Sequence, residues 1–210
     1  GERLRIRFMV GENFMGEPWD LKVHRVESLL VSEDNAERNL TDSIDLQTGM
    51  LSTKFATAGT KLLSMQSNAA FIELESGAFN DYLKEDGLDD VYAQREKTKM
   101  LGAKAREQYS RHTKLFVQVG DARSDEYKKV LGMPIELVPQ RNPYALRRGE
   151  KCRFLVLFNG KPLFGAKVRL WNRYDNRTTI QNIYTQQDGM IEMQISNPGA
   201  WMVSVVKMIP

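Results

Sequence analysis

The sequence has few of the residues that build covalent or metal-bound frameworks. Its 210 residues include one cysteine, Cys152, and two histidines, His24 and His112. A single cysteine excludes a disulfide within the chain. No H-x-x-x-H, C-x-x-C or EF-hand spacing is present. The sequence therefore offers only two weak candidates for a transition-metal site, His24 and His112.

Long apolar runs and a strong charge imbalance are also missing. No run approaches the roughly 18 apolar residues that a membrane-spanning helix needs. The 30 basic and 27 acidic residues leave a net charge of +3, which is too small to indicate nucleic-acid binding. The printed sequence opens on a strand pattern rather than a signal-peptide pattern, and this argues for no particular compartment. We expect a globular chain with no transmembrane segment and no nucleic-acid partner.

Catalytic motifs are absent as well. The sequence contains no G-x-S-x-G elbow, no P-loop and no dinucleotide-binding fingerprint. Cys152 shares one face of an alternating strand pattern with Phe154 and Val156, so we predict a buried, inert thiol rather than a nucleophile. We therefore expect a protein that is not an enzyme and has no catalytic residues.

The sequence is rich in turn dipeptides between apolar strands, above all in its last third. Asn159-Gly160 and Asp188-Gly189 separate runs with strand character, and both dipeptides favour tight hairpins because their residues tolerate positive φ. This pattern predicts a C-terminal prealbumin-like β-sandwich over residues 131–210.

Residues 1–130 begin with strands and then change period. Leu4 to Val10 alternates apolar residues with arginine, which is typical of a half-buried strand. Ser76 to Asp86 has helical spacing, and we predict a second helix from Asp89 or Asp90 to about Arg111. The prediction is therefore a mainly β chain of two immunoglobulin or prealbumin-like β-sandwich domains, 1–130 and 131–210. The first domain is predicted to carry a helical insertion at about 76–113.

Basic side chains in the predicted helical insertion form one candidate partner surface. The stretch from Gln94 to Lys99 has no apolar residue, so it cannot bury a core-facing stripe and is expected to open easily. The surface could dock an acidic partner or anionic lipid, and a plain solvated face is the alternative. The candidate residues are Arg95, Lys97, Lys99 and Arg106.

Aromatic residues form the second candidate surface. Trp171 and Tyr174 flank Asn172 and Arg173, a composition that suits carbohydrate rings, and Trp19 is a further candidate. Packing in the core is the alternative for these residues. Core packing is the expectation for Trp201, which alternates with apolar residues.

An ordered set of motifs covers most of the chain. The motifs read Phe79-x-x-Tyr82-Leu83-x-Glu85-Asp86-Gly87-Leu88, Tyr109-Ser110-Arg111-His112-Thr113-Lys114, Gly132-x-Pro134-Ile135-Glu136-Leu137-Val138-Pro139, Asn142-Pro143-Tyr144, Gly160-Lys161-Pro162-Leu163, Thr185-x-x-Asp188-Gly189 and Gly199-Ala200-Trp201. In this order they resemble a bacterial domain-of-unknown-function family that is labelled as a periplasmic component of ABC-type cobalt/nickel transport.

The resemblance implies a periplasmic or cell-envelope location and an all-β core. It implies a non-enzymatic binding or accessory role, linked to cobalt/nickel or nutrient uptake, with an envelope protein or transporter component as partner. Members of the family tend to carry a His-containing segment ahead of the first strand. We therefore expect no cofactor for the printed chain and a divalent metal only for a longer form. The alternative is a structural or carbohydrate-interacting module associated with an outer-membrane receptor.

Overall fold

The fold of the chain is mainly β, as predicted. The computed structural model describes residues 3–19 and 25–209. In this part, strands hold 47% of the residues and helical segments 14%. The α-helices of the described part are α1, Ser76–Glu85, and α2, Asp89–Lys97. Within the same residues, no helix has both the length and the apolar character that crossing a membrane requires.

The strands of the first half pack as two facing sheets. A four-stranded sheet has the order β11-β8-β4-β5, and a three-stranded sheet has the order β1-β7-β6. The strands are β1 Leu4–Arg7, β2 Met9–Val10, β3 Glu17–Pro18, β4 Val26–Glu33, β5 Ala36–Asn39, β6 Ile44–Asp45, β7 Met50–Thr53, β8 Gly59–Ser67, β9 Ala70–Leu74, β10 Ala105–Tyr109 and β11 His112–Val119.

Alternation of apolar and polar residues explains how these two sheets meet. Leu4 and Ile6 of β1 are partly buried against the core, whereas Arg5 is exposed on the other face. Leu29 and Leu63 come from the facing sheet and are almost fully buried in the same cluster. Burying large aliphatic side chains supplies about 1.5–3 kcal/mol each, so this shared core is the main force that holds the two sheets together.

The second half also consists of two facing sheets. In one, β13 pairs with β12, β14 and β17, and the other has the order β16-β15-β18. The strands are β12 Ile135–Pro139, β13 Lys151–Phe158, β14 Lys161–Pro162, β15 Lys167–Tyr174, β16 Arg177–Tyr184, β17 Met190–Gln194 and β18 Ala200–Val205.

The core of the second half confirms several sequence-based expectations. Cys152 is 1% exposed and lies in one apolar cluster with Val168 of the opposite sheet. Trp201 packs against this cluster, as its alternation predicted. Asn159 and Gly160 have φ values of 49° and 73° at the predicted hairpin turn between β13 and β14. Both residues can take this left-handed conformation at low cost, which is why the turn forms there.

A two-stranded ribbon with two helices at its end projects from the first half, and we call residues 70–109 the arm. Strands β9 and β10 pair along their whole length, from Ala70 opposite Tyr109 to Leu74 opposite Ala105. They continue strands β8 and β11 of the main sheet. The helices α1 and α2 lie between β9 and β10, at the tip of the arm.

The predicted extent of the helical insertion, 76–113, is therefore wrong at its C-terminal side. Helix α2 ends at Lys97 rather than near Arg111. Lys99 has a φ of 60°, and residues 105–109 pair with β9 as a strand. The reason is tertiary, because cross-strand pairing with a distant segment overrides the helical propensity of the charged sequence.

The tip of the arm packs against the second half. Phe79, Leu83 and Val91 form an apolar cluster with Ala105, and Met208 packs onto it. Only one end of α2 takes part in this cluster, which fits its polar composition.

Ion pairs and hydrogen bonds join the same surfaces. Arg169 of β15 lies 2.7 Å from the carboxylate of Asp86, and Lys207 lies 2.7 Å from that of Asp90. Nearer the base of the arm, the largely buried side chains of Lys114 and Glu136 form an ion pair between the two halves. The halves are therefore connected through both the main sheet and the tip of the arm.

Candidate functional site

The site begins where the sheet bends into the arm, between β8 and β9 and between β10 and β11. At the bend, the backbone N–H of Ser67 donates to the carbonyl of Arg111 at 2.9 Å. The N–H of Arg111 donates in return to the hydroxyl of Ser67 at 2.9 Å. The N–H of Asn68 donates to the carbonyl of Arg25 at 2.9 Å. These bonds fix the backbone positions from which Arg25 and Arg111 extend.

A groove opens at this bend, and we call it the kink groove. Its volume is about 380 Å³, which lies within the range of roughly 300–1,000 Å³ that is typical of small-molecule sites. It is lined by Trp19, Arg25, the segment 67–71, Tyr109 and Arg111. Among the described residues, this lining contains two arginines and neither aspartate nor glutamate, so these lining residues favour negative charge.

Arg111 is held between two aromatic rings of the groove. Its guanidinium carbon lies 4.6 Å from the ring centre of Tyr109 and 5.8 Å from that of Trp19. Trp19 is itself supported by an edge-to-face contact with Phe8, with ring centres 6.5 Å apart. Cation–π contacts of this kind orient the guanidinium without using its N–H groups. Its five donors therefore remain available for an acceptor in the groove.

Within residues 3–19 and 25–209, neither Arg25 nor Arg111 has a carboxylate partner. A guanidinium is a rigid fork of donors that matches the geometry of carboxylate, sulfate and phosphate. As far as the described residues show, the groove therefore presents an oriented cation without an acidic partner beside aromatic surface.

His112 lies next to the groove and is engaged on both sides of its ring. Its Nδ1 is 3.2 Å from the side-chain oxygen of Gln66, and its Nε2 is 2.9 Å from the hydroxyl of Ser110. Burial lowers the pKa of the imidazole below its ordinary value, against a smaller opposing effect of Glu27. A neutral ring then donates from Nδ1 to Gln66 and accepts from Ser110 at Nε2, which leaves neither nitrogen free for a metal.

The described residues contain no group of three or more His, Cys, Asp and Glu side chains that could hold a metal ion. The other weak metal candidate, His24, lies outside the described residues. Among the described residues, His112 therefore has no surrounding cluster of His, Cys, Asp or Glu side chains that could complete a metal site.

The predicted aromatic platform of Trp171 and Tyr174 is not formed. Trp171 is 3% exposed, and its Nε1 donates to the hydroxyl of Ser204 at 3.2 Å. Tyr174 is half exposed. Successive side chains of a strand alternate between faces, so residues 171 and 174 point to opposite faces of β15. The alternative interpretation, core packing, is the correct one for Trp171.

The structure divides the predicted basic surface. The prediction is wrong for Arg95, whose side chain is hydrogen-bonded within the chain. Its guanidinium donates to the carbonyls of Met100 and Ala103, each at 2.7 Å, and lies 4.9 Å from the ring centre of Phe79. These contacts hold the turn after α2, so the guanidinium is already occupied.

The other three basic candidates are exposed. Arg106 forms an ion pair with Glu73 across the ribbon at 2.9 Å. Lys97 and Lys99 extend from the end of α2 and the turn after it. Contact of Lys97, Lys99 or Arg106 with a partner stays a prediction.

Sequence reasoning named Trp19 as an aromatic candidate and Arg111 as one of the basic residues of the helical segment, but it did not bring the residues of the kink groove together. Arg25 and Arg111 are ordinary basic residues in the sequence, and Phe71 and Tyr109 are single aromatics in strands. The site is assembled only by the pairing of β8 with β11 and by the approach of the segment before β4. No local spacing encodes these contacts.

The comparisons with known proteins place the chain in a family. The family described as Domain of unknown function (DUF4198) matches residues 1–208. The chain belongs to this family. No curated protein matches the sequence.

One solved structure with a weak likeness is that of dimeric latent PorU from Porphyromonas gingivalis. It has a TM-score of 0.19 and 12% sequence identity, and the match covers 98% of this chain. The match covers 17% of the PorU chain, so the present chain spans about a sixth of that length. This likeness is too weak to carry an argument about fold or function.

Proposed function

We propose that the chain is a non-enzymatic binding module whose kink groove holds an anionic ligand. The observation that supports the proposal is the position of Arg111 between Tyr109 and Trp19, with no carboxylate partner in the described part of the chain. Arg25 adds a second positive charge on the same lining. The other arginines with mapped side-chain contacts near the arm, Arg95 and Arg106, already donate to protein acceptors.

The energetic argument concerns preorganisation. An arginine that is free in solution loses side-chain entropy when it binds, on the order of 0.5–1.5 kcal/mol for a long flexible side chain. The two rings already restrict Arg111, so less of this entropy is lost on binding. A charge-assisted hydrogen bond to an anion contributes about 1.5–3 kcal/mol, so its loss should change the affinity by roughly 10- to 100-fold.

The resemblance seen in the sequence extends the proposal to a setting. It supports a periplasmic or cell-envelope location and an accessory role in uptake, with an envelope protein or transporter component as partner. The link to cobalt or nickel has the resemblance as its sole support. The groove chemistry, two arginines and aromatic rings, is suited to an anion rather than to a divalent cation.

The proposed architecture behind this role is a pair of β-sandwich units of the immunoglobulin or prealbumin-like kind, divided near residue 130. The separate apolar clusters of the two halves support this division. In such an arrangement, the arm joins the two units and the kink groove lies at its base.

The test uses 8-anilinonaphthalene-1-sulfonate, a fluorescent probe that combines an aromatic ring with a sulfonate. We expect saturable binding to the wild-type chain and competition by inorganic sulfate. Arg111→Ala should weaken probe binding by roughly 10- to 100-fold, because about 1.5–3 kcal/mol of charge-assisted bonding is lost.

Arg106→Ala is the matched control, since it removes the same charge from the same ribbon at an exposed, already paired position. It should leave probe affinity within about twofold of wild type. Equal loss in the two variants, or probe binding that Arg111→Ala does not change, would overturn the proposal.

A further inference from the structure

Resting on the proposed function, we infer that the ligand of the kink groove is an acidic sugar, a pyranose that carries a carboxylate or a sulfate. The inference goes beyond anion binding because it specifies the chemical class of the ligand, a sugar ring that carries the negative charge. Three features of the groove support it: the kind of surface beside the arginines, the use of the backbone donors at the bend, and the size of the groove.

The surface beside Arg111 is aromatic and partly exposed. Phe71 is 78% exposed at the groove, and the rings of Trp19 and Tyr109 line it. The C–H groups on one face of a pyranose carry slight positive charge and are attracted to the negative face of an aromatic ring. A simple inorganic anion would gain nothing from these rings, whereas a sugar ring would cover them.

Small side chains leave space over the bend. Ala69 and Ala70 separate Asn68 from Phe71, so a ring on Phe71 can approach the backbone there. The hydroxyl of Ser67 also lies in this lining, where it donates to the carbonyl of Asn68 and accepts from the N–H of Arg111. Aromatic faces with a few polar groups and a cation form the combination that a hydroxylated, charged ring requires.

An acidic peptide is disfavoured by the backbone at the bend. A peptide that binds by strand addition needs a free row of backbone donors and acceptors. Here the N–H groups of Ser67, Asn68 and Arg111 all donate within the chain. These three N–H groups are therefore not available to pair with a peptide backbone.

The size of the groove limits the ligand. A volume of about 380 Å³ is near the lower end of small-molecule sites, which matches the size of one or two sugar rings. The inferred ligand is thus a short acidic saccharide or the end of a longer one.

Isothermal titration calorimetry with four matched probes tests the inference. The probes are digalacturonate, its neutral methyl ester, a sulfated lactose, and the acidic dipeptide N-acetyl-Glu-Glu-amide. We expect digalacturonate or sulfated lactose to bind at least tenfold more tightly than the methyl ester and the dipeptide. The tighter of the two acidic sugars identifies whether carboxylate or sulfate is the preferred source of charge.

Two variants connect the result to named residues. Phe71→Ala should lower the affinity for the sugar at least fivefold. Because Phe71 is exposed, misfolding of the variant would not explain this loss. Arg111→Lys keeps the positive charge but loses the planar fork of donors, and it should also lower the affinity for the sugar. The anilinonaphthalene sulfonate assay on the same samples reports whether the groove still takes an anion.

The outcomes separate the two proposals. Equal affinity for the dipeptide and the acidic sugars, or tight binding of the neutral ester, overturns the sugar inference while anion binding stands. Absence of Arg111-dependent binding for every probe, including the aromatic sulfonate, overturns the proposed function as well. Sugar affinity that is unchanged by Phe71→Ala contradicts the stacking argument and also overturns the inference.

Discussion

Arg95 at the tip of the arm and Arg111 at its base both lie over aromatic rings, yet their N–H groups have different fates. Arg95 stacks on Phe79 and donates to the carbonyls of Met100 and Ala103. Arg111 stacks between Tyr109 and Trp19, and within residues 3–19 and 25–209 its side chain has no hydrogen-bonded acceptor.

The difference shows what an aromatic contact means for an arginine. The ring positions the cation in both places, but the use of its donors decides the role. Where carbonyls accept the donors, the arginine closes a turn and stabilises the fold. Where the donors face an open groove, we propose that the same positioning preorganises a binding group. Density of basic residues in the sequence predicts neither role.

The largest expected effect is a loss of stability when the apolar cluster at the tip of the arm is truncated. Leu83 is fully buried in the apolar cluster of the helices. Leu83→Ala should lower the free energy of unfolding by about 2–5 kcal/mol, through lost burial and a residual cavity. Urea unfolding followed by circular dichroism measures this loss. Leu46→Ala is the control, because Leu46 is 62% exposed and should change stability by no more than about 0.5 kcal/mol. Equal stabilities of the two variants would show that the tip does not contribute to the cooperative fold.

The comparison of the two arginines predicts opposite phenotypes. Arg95→Ala removes two short bonds to carbonyls and should lower the free energy of unfolding by about 1.5–3 kcal/mol, with little change in probe binding. Arg111→Ala should cost less than about 1 kcal/mol of stability and remove binding. Paired urea unfolding and probe titration measure both quantities. A larger stability loss in Arg111→Ala than in Arg95→Ala would reverse the assignment.

A smaller effect is expected from pH at the base of the arm. Burial lowers the folded-state pKa of His112 below its ordinary value of about 6.5. As pH falls through about 6.5, the unfolded chain therefore takes up a proton before the folded chain does, and stability decreases until the folded pKa is passed. Melting temperatures from pH 8 to pH 5 should fall more steeply for the wild type than for His112→Gln. Parallel profiles would mean that the imidazole is not held neutral.

The smallest expected signal is the reaction of Cys152 with a thiol reagent. Burial raises the pKa of this thiol to about 11, and the residue is 1% exposed. Reactive thiolate is therefore scarce at pH 8, and native labelling should be far slower than labelling in urea. Leu83→Ala should leave the native rate unchanged if the tip opens independently of the second half. Faster labelling in that variant would show that the two unfold together.

Strand faces and the Asn159-Gly160 turn were readable from the sequence because they depend on neighbours along the chain. The hairpin predicted at Asp188-Gly189 is wrong, because β17 pairs with β13 rather than with β16. The alternation around Leu4, the apolar face of Cys152 and the Asn159-Gly160 turn all follow from local periodicity or local φ preference. The burial of Trp171 was left open, because a strand pattern does not say what covers its outer face.

The end of α2 and the kink groove were not readable, for one shared reason. Residues 105–109 are a strand because β9 pairs with them, and Arg111 reaches Trp19 because β11 pairs with β8. Both are contacts between segments that are distant in sequence. A single sequence has no local signal for such pairings, so charge and propensity alone favoured a helix up to about Arg111.

The packing of Val206 and Met208 on the helical cluster has a consequence for synthesis of the chain. Lys207 and its partner Asp90 are 117 positions apart, so the helices emerge from the ribosome long before the residues that cover them. At about 5–20 residues per second, the interval is on the order of 6–25 s. During that interval, the apolar faces of Phe79 and Leu83 lack part of their cover, and a nascent chain is a candidate client for chaperones over this window.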